Sequence, residues 1–290
     1  SKDPGKNTGG NKAKEDIINI AVKHCGFKQF NLYVYPNKIR RFLYVKSLKR
    51  KIREDKAECF VLQYPVISSF VEDNFINYVK NTNAKLYFFI HDLPALQNLN
   101  AGEEAKEIAR LNKADGLIVH NEQMKRWLGK HGVKKDMIIL EIFDYLNPQK
   151  LQEFEKYEGT VCFPGNLAKS TFLNNLKLKS HKLDIYGPNF EELNINSKSI
   201  EYKGQYSPEQ LPKHLSDNFG LIWDGISSQG CQGRFGEYLM YNNPHKASLY
   251  ISSGIPVIIW EKAALAKFIK QYDLGITISN LNDLDKVLDN

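Results

Sequence analysis

The chain contains 290 residues, 42% of them hydrophobic, so it can bury a large core, and its length favours two domains over one. It contains no run of eighteen apolar residues and begins with a polar, glycine-rich stretch, so we expect neither a transmembrane helix nor a signal peptide, and we expect a cytoplasmic protein. The formal charge of +7 lies in the first half: residues 1–145 carry 25 Lys and Arg against 17 Asp and Glu, whereas the rest carries 15 against 16. This excess suits an anionic partner, either a phosphate-bearing acceptor or a membrane surface, and it also suits ordinary solubility.

Apolar runs and helix-like segments alternate along the chain, which predicts parallel sheets whose strands are covered on both faces. In the first half, strands are predicted at residues 31–36, 58–64, 85–91, 116–121 and 137–143. In the second half, strands are predicted at residues 160–166, 182–188, 199–204, 219–225 and 256–260. The polar segment 146–159 predicts a linker, so the sequence indicates two doubly wound α/β domains at 1–145 and 160–290.

The four cysteines are far apart and have no CxxC spacing, which predicts reduced thiols rather than a disulfide framework or a zinc site. They are Cys25, Cys59, Cys162 and Cys231.

Polar loops follow the predicted strands of the second half, at the sheet edge where open α/β sheets bind ligands. In the loop 164–170, Gly165 allows close backbone approach and Lys169 supplies a cation, although the spacing fits neither a Walker A motif nor GxGxxG. Tyr206, in the loop 202–212, is a candidate stacking partner for a base. The missing GxGxxG also disfavours a dinucleotide-binding dehydrogenase.

The stretch YNNPHKASLYISSGIPVIIW, residues 241–260, predicts a helix with a polar first turn. Pro244 suits the first helical position, which places Asn243 at the N-cap. Free backbone donors, the helix dipole and Lys246 together favour an anion such as a diphosphate, and an ordinary capped helix with an exposed lysine is the alternative. Asn242 and His245 either contact the ligand or pack beside it.

These motifs resemble the nucleotide-sugar half of GT-B glycosyltransferases. More closely, YNNPHKxSLYxxxGIPVIxW and FPGNLxKSxFL are similar to the glucosyltransferase 3 family, which acts on serine-rich streptococcal adhesins, and to its galactofuranosyltransferase-like relatives. The resemblance implies two Rossmann-like domains facing a cleft and self-association. It also implies transfer of a hexose, with glucose expected, from a UDP-sugar to a saccharide acceptor such as GlcNAc on a serine-rich glycoprotein or a growing polysaccharide. A non-catalytic nucleotide-sugar-binding partner of another transferase is the alternative.

The resemblance also assigns roles to donor-site residues. It implies Lys169 and Lys246 at the diphosphate, Asn243 at the ribose or diphosphate, and Tyr206 near the uracil. Gly165 and Asn166 are expected to line the same site. Arg234, in a glycine-rich loop, either reaches the donor or lies on a mobile surface loop.

The amino terminus carries a glycine-rich loop that no strand precedes, as a βα unit would require, so the sequence is expected to lack its native first strand. The short end of the chain suggests a similar loss there. With the strand restored, Gly9, Gly10 and Asn11 would contact the acceptor or the donor diphosphate, and a flexible terminus is the alternative.

Candidate catalytic groups lie at predicted strand ends in the first half. His91 and Asp92 follow one strand and either act on the acceptor or cap the next loop. His120 is a second candidate, followed by Asn121, which suits a helix N-cap. The DxD match at 283–285 suits a helix start better than a strand-end loop, so catalysis is expected to need no metal cofactor, with lysines and a helix dipole in place of a cation.

The segment 38–53 is rich in Lys and Arg, and it places Ile39, Phe42, Leu43 and Ile52 at helical spacing. It either lies on an anionic membrane, faces a glycoprotein acceptor or forms a solvated helix face. Nucleic-acid binding is not expected, because no recognised module is present and the basic excess is modest.

Overall fold

The structure, a computed structural model, describes residues 9–98, 101–151 and 156–289. These residues form two compact units, the first built from Ala13–Leu140 and the second from residues 9–12 together with the chain from Glu141 onward. The described parts of the predicted linker, residues 146–151 and 156–159, therefore belong to the second unit.

In the described part of the first unit, four parallel strands form one sheet in the order β1-β2-β3-β4. The strands are β1 Cys59–Tyr64, β2 Lys85–Ile90, β3 Gly116–Val119 and β4 Asp136–Ile139. The helices are α1 Gly9–His24, α2 Lys38–Asp55, α3 Ser69–Lys80, α4 Pro94–Asn98, α5 Ala101–Leu111 and α6 Glu122–Lys130, of which α1 begins in the second unit. Each strand lies within or beside a predicted apolar run.

The predicted strand at 31–36 is wrong. Leu32 is buried, but the segment pairs with no described strand. Its backbone instead bonds to Tyr44 of α2, whose hydroxyl donates to the Asn31 carbonyl and accepts from the Tyr33 N–H, both at 3.2 Å. The Tyr44 hydroxyl thus satisfies backbone groups that a neighbouring strand would satisfy in a sheet. A pattern of apolar residues does not reveal this kind of side-chain partner.

The described second unit contains a six-stranded parallel sheet in the order β10-β9-β8-β5-β6-β7. Its strands are β5 Val161–Pro164, β6 Leu183–Tyr186, β7 Ile200–Tyr202, β8 Phe219–Ile222, β9 Val257–Trp260 and β10 Gly275–Ile278. Its helices are α7 Arg234–Tyr238, α8 His245–Ser252, α9 Ala266–Gln271 and α10 Leu284–Leu288. The strand order reverses between β5 and β8, which is the switch point where doubly wound sheets bind ligands.

Helix α8 is fixed across this switch point by Tyr250. The Tyr250 ring lies against Gly220 of β8, so tightly that any side chain at Gly220 would collide with it. Its buried hydroxyl donates to the Leu221 carbonyl of β8 at 3.0 Å and lies 3.4 Å from the Cys162 carbonyl of β5. Because α8 runs back between parallel strands, its first turn lies at the carboxyl edge of the sheet.

The prediction of reduced thiols is confirmed. All four cysteines are free, and Cys162 and Cys231 are buried. Burial raises the pKa of both buried thiols above the ordinary value, so they act as small core residues.

Candidate functional site

A cavity of about 340 Å³ opens at the carboxyl edge of the second sheet, and all its lining residues belong to the second unit. The loops after β5, β6 and β7 contribute to it, together with the first turns of α1 and α8. Its lining includes Gly10, Tyr145, Gly165, Asn166, Tyr186, Gly187, Tyr206, Pro208, Leu211, Pro244, His245 and Lys246. The structure therefore brings together five predicted donor-site residues: Gly165, Asn166, Tyr206, His245 and Lys246.

Lys246 supplies the cation of this cavity. Its Nζ lies 3.3 Å from Asp224 Oδ1 and 4.2 Å from the centroid of the Phe163 ring, and both side chains of the ion pair are largely buried. A Cβ placed on Gly165 would lie 3.7 Å from the same Nζ, so the ammonium sits beside bare backbone. Asp224 was not predicted, although it is the second residue after β8 and could have been found as a strand-end carboxylate at the switch point.

Glycines bring the loops after β5 and β6 into backbone contact. Gly187 has φ +133, and a side chain there would overlap the Gly165 carbonyl. Asn166 caps the short 3-10 turn that follows, because its Oδ1 accepts from the Ala168 N–H at 3.2 Å, and it also accepts from Asn189 at 2.7 Å. The lining here is rigid backbone, which suits close approach of an anion.

Aromatic side chains line the cavity beside the loop 202–212. Tyr206 stacks on His214, with ring centroids 3.6 Å apart and planes 14° apart. The Tyr186 hydroxyl donates to the His214 carbonyl at 3.0 Å, and the Tyr145 hydroxyl donates to the Pro208 carbonyl at 2.6 Å. These bonds hold the rings in place, so they form a preformed apolar wall for a flat ligand.

The predicted N-cap at Asn243 is wrong. Asn243 is buried and its Nδ2 donates to the Glu141 carbonyl at 2.6 Å, while Pro244 occupies the cap position. Pro244 makes no side-chain capping hydrogen bond, because proline has no polar side-chain group.

The neighbours of Asn243 have separate roles. His245 lines the cavity, with Nε2 3.3 Å from the Asp144 carbonyl and its ring 5.0 Å from that of Tyr145. Asn242 does not line the cavity, and within the described residues its buried Oδ1 has no hydrogen-bond partner.

Lys169 and Arg234 do not line the cavity and instead converge on another ring. Lys169 Nζ lies 4.5 Å, and Arg234 Cζ lies 5.2 Å, from the centroid of Phe235. Arg234 begins α7 rather than lying in a loop, so that part of the prediction is wrong. Phe235, which was not predicted, contacts both cations through the face of its ring.

The predicted loop at Gly9, Gly10 and Asn11 is also wrong, because these residues form the first turn of α1. Residues 1–8 of that prediction lie outside the described part of the chain. Gly10 lines the cavity, and the buried Lys12 lies beside it, with Nζ 3.1 Å from the Leu146 carbonyl and 4.5 Å from the Tyr145 ring centroid. Lys12 was not predicted, because nothing in the sequence distinguishes one lysine of a basic stretch from its neighbours.

In the first unit, His91 follows β2 and its Nε2 lies 2.7 Å from Gln63 Oε1. The Gln63 amide is oriented by its Nε2, which donates to the Lys14 carbonyl at 3.1 Å. Its oxygen therefore faces His91, which makes Nε2 the protonated nitrogen of that ring and Nδ1 the basic one. Asp92 is exposed and accepts from Gln97 at 3.2 Å.

A buried polar network supports this strand end. Glu107 accepts from the Tyr64 hydroxyl at 2.7 Å and from the Ala95 N–H at 2.6 Å, which ties the first turn of α4 to β1. Burial raises the pKa of Glu107 above its ordinary value. The loop that carries His91 and Asp92 is therefore fixed on both sides.

His120 and the DxD match have structural roles. His120 is buried, donates to the Ile90 carbonyl, and burial lowers its pKa to about 4, so it is neutral at pH 7. Asn121 caps α6, as predicted. Asp285 accepts three backbone N–H groups, which outweigh burial and lower its pKa. Among the described residues, no cluster of three side chains could hold a metal ion.

Comparison with known proteins decides the family. The N-terminal domain model of the glucosyltransferase 3-like proteins matches residues 2–142, and the C-terminal domain model matches residues 161–290. The chain belongs to the glucosyltransferase 3-like family. The β-1,6-galactofuranosyltransferase WbbI of Escherichia coli (strain K12) is 30% identical over 97% of this chain and 83% of its own length. Glucosyltransferase 3 of Streptococcus gordonii is 27% identical over 96% of this chain and 83% of its own length.

Solved structures confirm the GT-B fold. TarM superposes with a TM-score of 0.53 at 18% identity, over 85% of this chain, and the chain spans half of TarM's length. A glycosyltransferase from Rickettsia africae ESF-5 gives 0.54 at 13% identity, over 94% of this chain and 76% of its own. The family and the fold together make this chain a glycosyltransferase.

Proposed function

We propose that the enzyme transfers a hexose from a UDP-sugar to a saccharide acceptor, with the nucleotide bound in the cavity of the second unit. The observation that carries the proposal is the pairing of an aromatic wall, at Tyr186 and Tyr206, with a buried lysine beside glycine backbone at the switch point. A pyrimidine nucleoside suits the first part and a diphosphate suits the second.

The proposed diphosphate end of the cavity is formed by the start of α8 as well as by the Lys246 side chain. Pro244, at the N-cap of α8, provides no side-chain cap, and the Ala247 N–H of the first turn donates to the Pro244 carbonyl at 3.0 Å. The helix dipole adds a partial positive charge at the same place, and Asp224 Oδ1 accepts a hydrogen bond from the Lys246 ammonium at 3.3 Å. An incoming phosphate would compete with the Asp224 carboxylate for that ammonium.

Sugar transfer leaves UDP with a new negative charge on its terminal phosphate. Lys246 and the first turn of α8 are placed to stabilise that charge, so we propose that the reaction proceeds without a metal ion. The second pair of cations lies on Phe235: Lys169 ends the 3-10 turn after β5, and Arg234 begins α7. We assign it to the phosphate or the sugar of the donor.

The acceptor chemistry is assigned to the first unit. We propose that Nδ1 of His91 either takes the proton from the acceptor hydroxyl or binds that hydroxyl, with Gln63 fixing the tautomer and Asp92 beside it. The buried network at Glu107 keeps this strand end in one geometry.

The sugar and acceptor are proposed from the relatives. Glucosyltransferase 3 is the name of relatives in two streptococci, and this supports glucose over galactofuranose as the sugar. TarM of S. aureus, which shares the fold, has been solved with UDP and α-GlcNAc-glycerol. We therefore propose GlcNAc, on a glycoprotein or a growing polysaccharide, as the acceptor, and a self-associated enzyme.

The proposal is tested by measuring UDP release from UDP-glucose and UDP-galactofuranose with and without a GlcNAc-bearing acceptor. We expect acceptor-dependent release that survives EDTA and is lost in Lys246→Ala, with the fold of that variant checked by circular dichroism. Tight UDP binding without turnover on any acceptor would instead identify a nucleotide-sugar-binding partner of another transferase. Loss of activity in EDTA would contradict the metal-free mechanism.

A further inference from the structure

Helix α2 of the first unit has a buried face, and its opposite face exposes large apolar side chains. Tyr44, Val45, Leu48 and Ile52 are buried. On the other side of the helix, Ile39, Phe42 and Leu43 are exposed by 71%, 50% and 57%. Three large apolar side chains within two turns form a contiguous apolar patch at the start of α2.

Basic side chains surround this patch. At 100° per residue, the exposed apolar groups share one side of the helix with four cations. These are Lys46, Lys49, Arg50 and Arg53. Lys46 Nζ lies 4.7 Å from the Phe42 ring centroid, so charge and apolar surface are in direct contact. Glu54, the nearest acid, pairs with Arg50 across 3.6 Å.

We propose that this surface, formed by the outward side of α2 and here called the α2 surface, docks on a bilayer that contains anionic lipid. Phosphate-rich headgroups attract the four cations, at about 1 kcal/mol for each basic residue near the membrane. Ile39, Phe42 and Leu43 then enter the boundary between headgroups and acyl chains.

The apolar patch decides between a bilayer and other anionic partners. A nucleic acid or an acidic polysaccharide would neutralise the cations but would leave Ile39, Phe42 and Leu43 in water. A bilayer uses both kinds of group. Docking is peripheral, because no helix in the described ranges is long and apolar enough to span a membrane. Docking would hold the enzyme where acceptors or products are attached to membrane lipid.

The test is co-sedimentation of the full chain with vesicles of phosphatidylcholine alone and with 30% phosphatidylglycerol added. We expect binding to the anionic vesicles, weakened by salt and nearly absent with phosphatidylcholine. The triple variant Lys46→Gln/Lys49→Gln/Arg50→Gln should bind at least 50-fold more weakly, since each charge near the surface is worth about fivefold. Ile39→Ser/Phe42→Ser/Leu43→Ser should bind at least tenfold more weakly at unchanged charge.

Matched controls come from the same unit. Phe70→Ser removes a phenylalanine of α3 that is 44% exposed, and Arg126→Gln/Lys130→Gln/Lys134→Gln removes three cations, of which Arg126 forms an i,i+4 pair with Glu122 as Arg50 does with Glu54. Both controls should bind vesicles like the parent chain. Equal losses in the controls, or binding unaffected by the apolar variant, would overturn the proposal.

Activity on a soluble acceptor separates docking from catalysis. The two α2 variants should retain that activity, because they leave both His91 and the cavity of the second unit unchanged. If they lose it without lipid present, the α2 surface is an acceptor site and docking is refuted. Failure of the UDP-sugar proposal would leave vesicle binding unaffected.

Discussion

Replacing Lys246 with methionine isolates the charge at the proposed diphosphate site. Methionine keeps a flexible apolar stem against the Phe163 ring and removes only the ammonium that lies 3.3 Å from Asp224 Oδ1. The ion pair is not fully buried, since its side chains are 17% and 25% exposed, so its loss should cost about 1 kcal/mol of unfolding free energy or less.

The effect on binding should be larger than the effect on stability. A hydrogen bond to a charged group contributes about 1.5–3 kcal/mol, which corresponds to roughly 10- to 150-fold in affinity. We therefore expect Lys246→Met to weaken UDP binding by about that factor. Uridine lacks phosphates, so its affinity should stay the same.

Calorimetric titrations of the parent and the variant with UDP and with uridine measure both effects. Lys203→Met is the matched control, because Lys203 is an ion-paired lysine of the same unit and lies 3.3 Å from Asp184. The reasoning is refuted if UDP and uridine weaken equally, or if UDP affinity does not change.

Four further changes follow from the same geometry. Tyr206→Ala should weaken uridine binding in calorimetry by about 1–3 kcal/mol, through loss of base stacking. His91→Ala should lower kcat by about 10²- to 10⁴-fold in a UDP-release assay, with UDP affinity unchanged. Asp217→Asn should stabilise the second unit at pH 8 but not at pH 4, as measured by urea unfolding. Burial, aided by the charge of Asp184, raises the Asp217 pKa to about 7, so the native carboxylate lowers the stability of the fold by about 4 kcal/mol, a loss that develops as pH rises from about 4 to 7. Gly187→Ala should destabilise the second unit by about 1–3 kcal/mol in the same assay, because its φ is +133.

Each of these four has its own control. Tyr272→Ala removes an exposed tyrosine of the same unit and should leave uridine binding intact. His24→Ala should leave kcat unchanged. Glu209→Gln, at an exposed carboxylate, should not alter the pH dependence of unfolding. Gly165→Ala should be tolerated, because the nearest atom to its Cβ would lie at 3.7 Å. If a control matches its partner variant, the explanation for that partner is wrong.

The sequence was informative where one pattern has one structural solution. Continuous apolar runs such as 58–64 and 256–260 became strands because both faces of a parallel strand are buried. The polar first turn of α8 was predictable to within one residue, because Pro244 marks the start of the helix. Strand β10 at Gly275–Ile278 was missed, since a short mix of Gly, Ile and Thr gives no continuous apolar run.

The sequence was uninformative where the partner of a polar group is distant along the chain. Asn243 is a residue type that is common at helix N-caps, yet its side chain donates to the carbonyl of Glu141, about a hundred residues earlier. Lys169 lies over the ring of Phe235, a contact that the sequence does not reveal. Only the folded geometry selects among such partners, so pairs such as Lys246 with Asp224 emerge from the structure alone.

The central claim is that the second unit binds a uridine diphosphate at its switch point. A calorimetric panel of UDP, GDP, ADP and NAD, each titrated into the full chain, tests it most directly. The account predicts one UDP site per chain, weakened in both Tyr206→Ala and Lys246→Met, and no comparable heat from the other three. No response to UDP, or equal responses to UDP, GDP and ADP, would contradict it.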